Sequence, residues 1–230
     1  MLLQMRFKWW EDAINAMYNG TPPDHPVIQA LGHVLKSRHL TRYRMRRIVT
    51  TRQKDALQLE APADLASLEQ YANGTAVQLL LLQLEANGVG NLETEKAAAL
   101  VGHAVGMTNL LRGTIHHAQR GRVYLPRDLC DQHQVIHADI LRGKDSEGVR
   151  RVAEAVSKAA EENIKKAREL MPAIPLEARP LFLPAVGCAL FLSALKARAY
   201  NVFDPMWTKS GVSPLWLQLN LKYHLVRGSF

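Results

Sequence analysis

Along most of the chain, apolar residues return at three- and four-residue steps, the spacing that lines one face of a helix, while two-residue alternation is almost absent. The pattern predicts helices near Phe7–Tyr18, Pro26–Leu35, Leu40–Arg52, Leu65–Ala86, Glu93–His117, Gly148–Met171 and Pro180–Tyr200. Turn compositions separate them: Asn19 to Pro23, Asn87 to Asn91, Gly143 to Asp145 and Pro172 to Pro175. Asp145 or Ser146 stands where it can cap the next helix. Gly102 and Gly106, four apart, suit a close approach of two helices. The fold class is therefore read as all-α. No repeat and no linker-like tract interrupts it, so one domain over residues 1–230 is expected.

Composition agrees with a packed interior: 47% of the 230 residues are hydrophobic and 22% charged. The longest apolar stretches, Ala76–Leu84 and Ala185–Leu195, fall short of the roughly 20 residues needed to cross a bilayer, so no spanning helix is expected. The first residues carry no signal- or transit-peptide pattern. Two cysteines, Cys130 and Cys188, cannot build a disulfide framework. Cys130, His133 and His137 offer a thiol and two imidazoles, the histidines spaced as on one helical face, but a fourth ligand is not evident. The segment is read as polar surface, and no metal site is expected.

Lys and Arg total 29 against 21 Asp and Glu, a net charge of +8. Such an excess suits nucleic acid, an anionic membrane face or phosphorylated ligands. Five arginines crowd into ten residues: Arg38, Arg42, Arg44, Arg46 and Arg47. On a helix Arg38, Arg42 and Arg46 would stack, and they could grip phosphates, form a solvated face or line the mouth of an internal cavity. No nucleic-acid-binding module accompanies them, so nucleic acid is not expected as a partner. Trp9, Trp10, Trp207 and Trp216 admit a membrane-surface reading, but all four are expected to pack, as is the Leu79–Leu82 run.

The most specific pattern lies in AAALVGHAVGMTNLLRGTIHHAQRGRVYLPRDL, from Ala97. It resembles the squalene/phytoene synthase family, in which a helix of the form G-x-A-x-x-x-T-N-[IL]-L-R-D-x-x-x-D precedes A-x-x-G-R-x-Y-L-P. Gly102, Ala104, Thr108, Asn109, Leu111 and Arg112 fit the first half, and Ala118, Gly121, Arg122, Tyr124, Leu125 and Pro126 the second. Arg6 to Ala13 is similar to the family's R-x-x-W-W-x-D-A, His25-Pro26-Val27 to its H-P-[VA], and Ile48 to Leu57 to its L-I-D-A-R-x-x-D-L. The resemblance covers about Arg6 to Arg227 and implies the all-α isoprenoid synthase fold, lacking the N-terminal helices of the full fold.

The family reaction joins prenyl diphosphates with Mg²⁺, which needs carboxylate oxygens spaced to share a helical face. Where the resemblance implies the two acids of D-x-x-x-D, this sequence has Gly113 and His117; Thr50 stands at the Asp of L-I-D-A-R. A first aspartate-rich motif, implied upstream of Trp9-Trp10, does not occur. Asp55 beside Lys54 is read as a helix-surface pair. The resemblance is closer to a branch of mitochondrial assembly factors for respiratory complex I, written R-x-T-x-x-H in place of R-D-x-x-x-D; Arg112 to His117 fits it, as do Phe203-Asp204-Pro205 and Pro214 to Leu217. That branch implies a non-catalytic protein with no cofactor. It implies a mitochondrial location, at the matrix side of the inner membrane with peripheral attachment, and complex I subunits or assembly intermediates as partners. The alternative is a Mg²⁺-dependent prenyl transferase or an inactive binder of isoprenoid diphosphate. An isoprenoid or lipid ligand, or a partner, would meet Arg52, Asn109, Arg112, Arg122 and Tyr124. The upstream departure predicts an apolar flank that a partner could cover.

Overall fold

The periodic segments fold as helices, and where their boundaries shift a local cause is visible. The computed structural model describes residues 2–209 and 213–230. Its helices are α1 Leu2–Tyr18, α2 Pro26–Leu35, α3 Arg42–Leu57, α4 Leu65–Ala72, α5 Gln78–Ala86, α6 Leu92–Arg112, α7 Thr114–Gln119, α8 Arg127–Gln132, α9 His137–Leu141, α10 Glu147–Glu169, α11 Pro184–Ala197, α12 Met206–Lys209 and α13 Pro214–Arg227. No strand occurs among the described residues.

Short polar side chains start the long helices. Asn91 accepts from the Thr94 N–H at 2.8 Å before α6, Asp64 from Ser67 at 2.8 Å before α4, and Ser146 from Val149 at 3.3 Å before α10. Asp145 instead pairs with Arg150. In α10, Val149, Val152, Ala153, Val156, Ala160, Ile164 and Ala167 follow the three-four spacing and are buried, while its charged residues face water.

Helix α6 is the axis of the core and packs against α4, α5, α10 and α11. Its glycines permit the approach that their spacing suggested. A Cβ on Gly102 would lie 2.6 Å from the Val77 Cα, and one on Gly106 would lie 2.4 Å from the Ala72 Cβ. A smaller cluster, Ala13, Ile14, Met17, Ile28, Leu40, Met45 and Leu82, joins α1, α2, α3 and α5.

Two helices expected to be continuous are interrupted. Between α4 and α5 the chain makes a π turn over Asn73–Val77, where Thr75 Oγ1 donates to the Tyr71 carbonyl at 2.8 Å and Gln78 Nε2 to the Asn73 carbonyl at 2.9 Å. The expected Glu93–His117 helix breaks at Gly113, and the Thr114 hydroxyl bonds the Leu111 carbonyl at 2.7 Å as α7 begins. The sequence reading missed α13 because Leu215, Leu217, Leu219 and Leu221 alternate as in a strand. Pro214 at its start and Gly228, left-handed at φ 60°, mark its ends.

Further expectations need correction. Arg38 precedes α3 and so does not stack with Arg42 and Arg46. His133 and His137 do not share a helical face, because the chain turns between α8 and α9 with Gln134 at φ 55°; Cys130 is fully buried rather than a surface residue. Trp9, Leu79 and Trp216 are exposed, since each lies on the outward face of its helix. Trp207 is half-buried against Phe191. Leu176–Ala197 is long and apolar enough to cross a membrane by length and composition. It is, however, a 3₁₀ segment at Leu176–Phe182 followed by α11, whose Ala185, Val186, Cys188, Phe191, Leu192 and Leu195 are buried in the core. On α1, Leu2, Met5 and Trp9 form an apolar flank open to solvent.

The interlock of α6 with the π turn predicts that Gly102→Ala lowers stability by about 1–3 kcal/mol, because backbone and not a flexible side-chain end opposes the new methyl. Gly187→Ala, in the open interior of α11, should gain up to about 1 kcal/mol. Denaturant midpoints of the two variants check this; equal midpoints would contradict it.

Candidate functional site

Asp55, near the C-terminal end of α3, gathers residues that lie far apart in sequence. Arg122 Nη2 donates to the Asp55 carbonyl at 2.6 Å, to Asp55 Oδ1 at 3.0 Å and to the Gln58 carbonyl at 2.9 Å. One guanidinium thus neutralises the carboxylate and satisfies carbonyls that the end of α3 leaves free. The Tyr124 hydroxyl donates to both carboxylate oxygens, at 2.8 and 3.0 Å. Arg122 also lies over the Tyr124 ring, 5.2 Å from its centroid. The loop that brings both residues here turns at Gly121, where φ is 72°. Asp55 is therefore the hub of a network, and reading it as a surface pair with Lys54 was wrong.

The network continues on both sides. Tyr71 lies 6.4 Å from Tyr124, centroid to centroid, and its hydroxyl accepts from Arg52 Nη1 at 2.6 Å. Burial, reinforced by the bonded Asp55 carboxylate, raises the Tyr124 phenol well above its usual range; burial raises Tyr71 as well. The phenols therefore act as neutral hydrogen-bonding groups at neutral pH. On the other side the His117 ring meets Tyr124 edge-on at 4.5 Å. Burial holds its imidazole below the ordinary histidine range, against the opposing pull of Asp55.

His117 also folds back over Gly113. A Cβ at Gly113 would lie 2.5 Å from His117 Nε2, so the imidazole fills the space that a side chain at 113 would need. The two positions act as one unit: glycine makes room and histidine occupies it. Asn109 and Arg112 are not drawn into this junction. Both are exposed, and Arg112 Nη2 donates to Asn109 Oδ1 at 3.0 Å. The candidate residues thus divide, with Arg52, Arg122 and Tyr124 brought together and Asn109 and Arg112 paired separately.

Beside the junction is a cavity of about 990 Å³, lined by Arg42, Arg46, Arg47, Thr50, Thr51 and Lys54 of α3, by Leu68 and Tyr71 of α4, and by Leu110, Tyr124 and Arg127. Of the readings left open for the arginine run, the cavity lining describes Arg42, Arg46 and Arg47. They are also fasteners: Arg42 bonds Asn15, Arg46 bonds Glu11, and Arg47 bonds Tyr43 and Asn73, while Arg44 pairs with Glu85. Its charged residues are mostly cationic, with an apolar side from Ala61, Pro62, Leu68 and Leu110. Its chemistry suits an anionic group bearing an apolar tail.

Mg²⁺ does not fit the residues present. Asp55 and Glu60 are the carboxylates on the lining, and Asp55 is held by Arg122 and Tyr124 while Glu60 faces Arg127 at 3.5 Å. Gly113 offers no donor, and imidazole suits a hard cation poorly. Among the described residues no group of three or more His, Cys, Asp or Glu is placed to share a metal ion.

A sequence model of squalene/phytoene synthase matches residues 2–213. The chain belongs to the squalene/phytoene synthase family. Within that family it is 35% identical over 216 residues to complex I assembly factor 6 of Mus musculus and 33% identical to that of Homo sapiens. Each alignment covers 94% of this chain and 65% of the relative, so the chain spans just under two thirds of the length of those proteins. A presqualene diphosphate synthase of Sinorhizobium fredii is 26% identical over 130 residues, 56% of this chain and 46% of that one. Among solved structures, a dehydrosqualene synthase superimposes with a TM-score of 0.83 at 23% identity, covering 96% of this chain and 77% of its own. A squalene synthase from Alicyclobacillus acidocaldarius gives 0.78 at 21% identity, covering 86% and 75%. The fold is the all-helical squalene/phytoene synthase type, as the motifs implied.

The motif residues explain which parts of the site were foreseeable. Arg122 and Tyr124 were flagged by G-R-x-Y-L-P, whereas the central role of Asp55 was not, although its place in the segment similar to L-I-D-A-R-x-x-D-L carried the signal. Tyr124→Phe should cost about 1.5–3 kcal/mol, the range for a hydrogen bond to a charged group. Combined with Asp55→Asn, the loss should be smaller than the sum of the two single losses, as measured by urea denaturation; strict additivity would show that the pair does not interact.

Proposed function

We propose that this chain is a non-catalytic assembly factor for mitochondrial respiratory complex I, working on a squalene/phytoene synthase scaffold. Its partners are complex I subunits or assembly intermediates, and its place is the matrix side of the inner mitochondrial membrane. The observation that carries the reading is the His117 ring seated over Gly113, at the two positions where the sequence resemblance implies the family's acidic pair. An imidazole wedged against Tyr124 leaves no oxygen donor there for a metal. The same junction ties up Asp55, so no cofactor is assigned. The names of relatives that align over 94% of the chain agree with this reading.

The fold likeness to prenyl-joining enzymes favours the alternative of Mg²⁺-dependent prenyl transfer, but a scaffold shared at 23% identity does not fix its chemistry. What the scaffold retains is a place to bind. The cationic cavity, with Arg52, Arg122 and Tyr124 at its junction, is suited to hold an isoprenoid or lipid anion without metal, since guanidinium groups engage phosphate directly. Asn109 and Arg112 offer a second, exposed polar patch for a partner.

Cells lacking this protein should lose fully assembled complex I on native gels, and re-expression of the wild-type gene should restore it. A null line with a full complement of complex I would overturn the reading.

A further inference from the structure

Helix α13 presents an apolar surface that the core does not use. Leu215, Trp216, Leu219, Tyr223 and Val226 are all exposed, Trp216 by 57% and Val226 by 86%. At 100° per residue they occupy one arc of about 100°. Lys222 and Arg227 lie at the two edges of that arc, each about 20° beyond its last apolar residue. The opposite side faces the protein: Leu217 and Leu221 are partly buried, Leu221 packs on the core, and His224 bonds Ser229. The helix is anchored on α11, and Arg179 holds its end through the Gly228 carbonyl at 3.1 Å. Its outward face is therefore fixed.

Charge selects what covers this face. From Pro205 to Phe230 the sequence contains no Asp or Glu, while Lys209, Lys222 and Arg227 are cationic. Trp and Tyr prefer a boundary between apolar and wet surroundings, and flanking Lys and Arg extend their stems along apolar surface with their charges in the polar layer. An apolar arc edged by cations and free of acids matches the head-group region of an anionic lipid bilayer. We propose that α13 docks this protein on an anionic membrane surface, with the Leu215–Val226 arc entering the interface and Lys222 and Arg227 meeting lipid phosphates. The inference rests on the proposed function only for which bilayer is met in the cell. The binding itself is a property of this face.

The test uses the purified full chain with vesicles of phosphatidylcholine alone or with roughly one quarter phosphatidylglycerol, separated by flotation. The chain should float with the anionic vesicles, bind the neutral ones at least about fivefold more weakly, and be released as salt screens the cations. Leu219→Glu and the pair Lys222→Gln with Arg227→Gln should each cut binding to anionic vesicles by on the order of tenfold or more while leaving the helical circular dichroism unchanged. Ile136→Glu, at an exposed apolar residue outside α13, should bind as the wild type does. Failure of the wild-type chain to bind anionic vesicles would overturn the proposal, and so would equal binding by Leu219→Glu or an equal loss with Ile136→Glu. Because the readout is vesicle flotation and not complex I content, this failure is separable from failure of the assembly reading.

Discussion

The carboxylate of Asp55 is the constraint around which the candidate site is organised. A carboxylate only 17% exposed must be paired, and it is paired with Arg122 and Tyr124, 67 and 69 residues further along the chain. Those bonds pin the loop after α7 against the end of α3, and with it the Tyr124 ring on which His117 rests. The result joins α3, α4 and α7 at one point through side chains rather than through an apolar interface. It also fixes the chemistry. An acid that in another setting could hold a cation serves here as an internal counter-ion, and the Tyr124 hydroxyl occupies both of its oxygens.

Beneath this junction, the approach of α6 to the π turn sets the spacing of the bundle. Gly102 and Gly106 bring backbone within van der Waals reach of Val77 and Ala72, and α4, the widened turn at Asn73–Val77 and α5 all pack along α6. The cavity lies beside these elements, so its shape depends on their positions. The architecture of the family is kept, and the proposed function rests on Gly113 and His117 standing where the resemblance implies an acidic pair.

The sequence disclosed the architecture more completely than the site. Three-four periodicity and caps located the helices closely, with Pro26–Leu35 matching in full, because a helix buried on one face writes its spacing into the chain. The long segments were misread as continuous because a π turn or a single Gly113 break leaves the apolar rhythm almost unchanged. Helix α13 was missed for the opposite reason: its leucines alternate like a strand, and it is Pro214 and Gly228 that define it. Within the site, Arg122 and Tyr124 could be picked out by motif, but their partner could not, since a bond across 67 residues leaves no local trace. The wedge of His117 over Gly113 is likewise a tertiary fact. Spacing put the residues four apart on one face, where the His117 N–H still bonds the Gly113 carbonyl at 2.8 Å, but it did not say which way the ring would turn.

The proposed function requires that this scaffold not join prenyl diphosphates. Purified protein incubated with farnesyl or geranylgeranyl diphosphate and excess Mg²⁺, extracted and followed by mass spectrometry over many equivalents of substrate, tests it most directly. The account predicts that the diphosphate is recovered intact and no hydrocarbon or cyclopropyl intermediate accumulates. Steady, Mg²⁺-dependent formation of a joined prenyl product by the wild-type chain would contradict it.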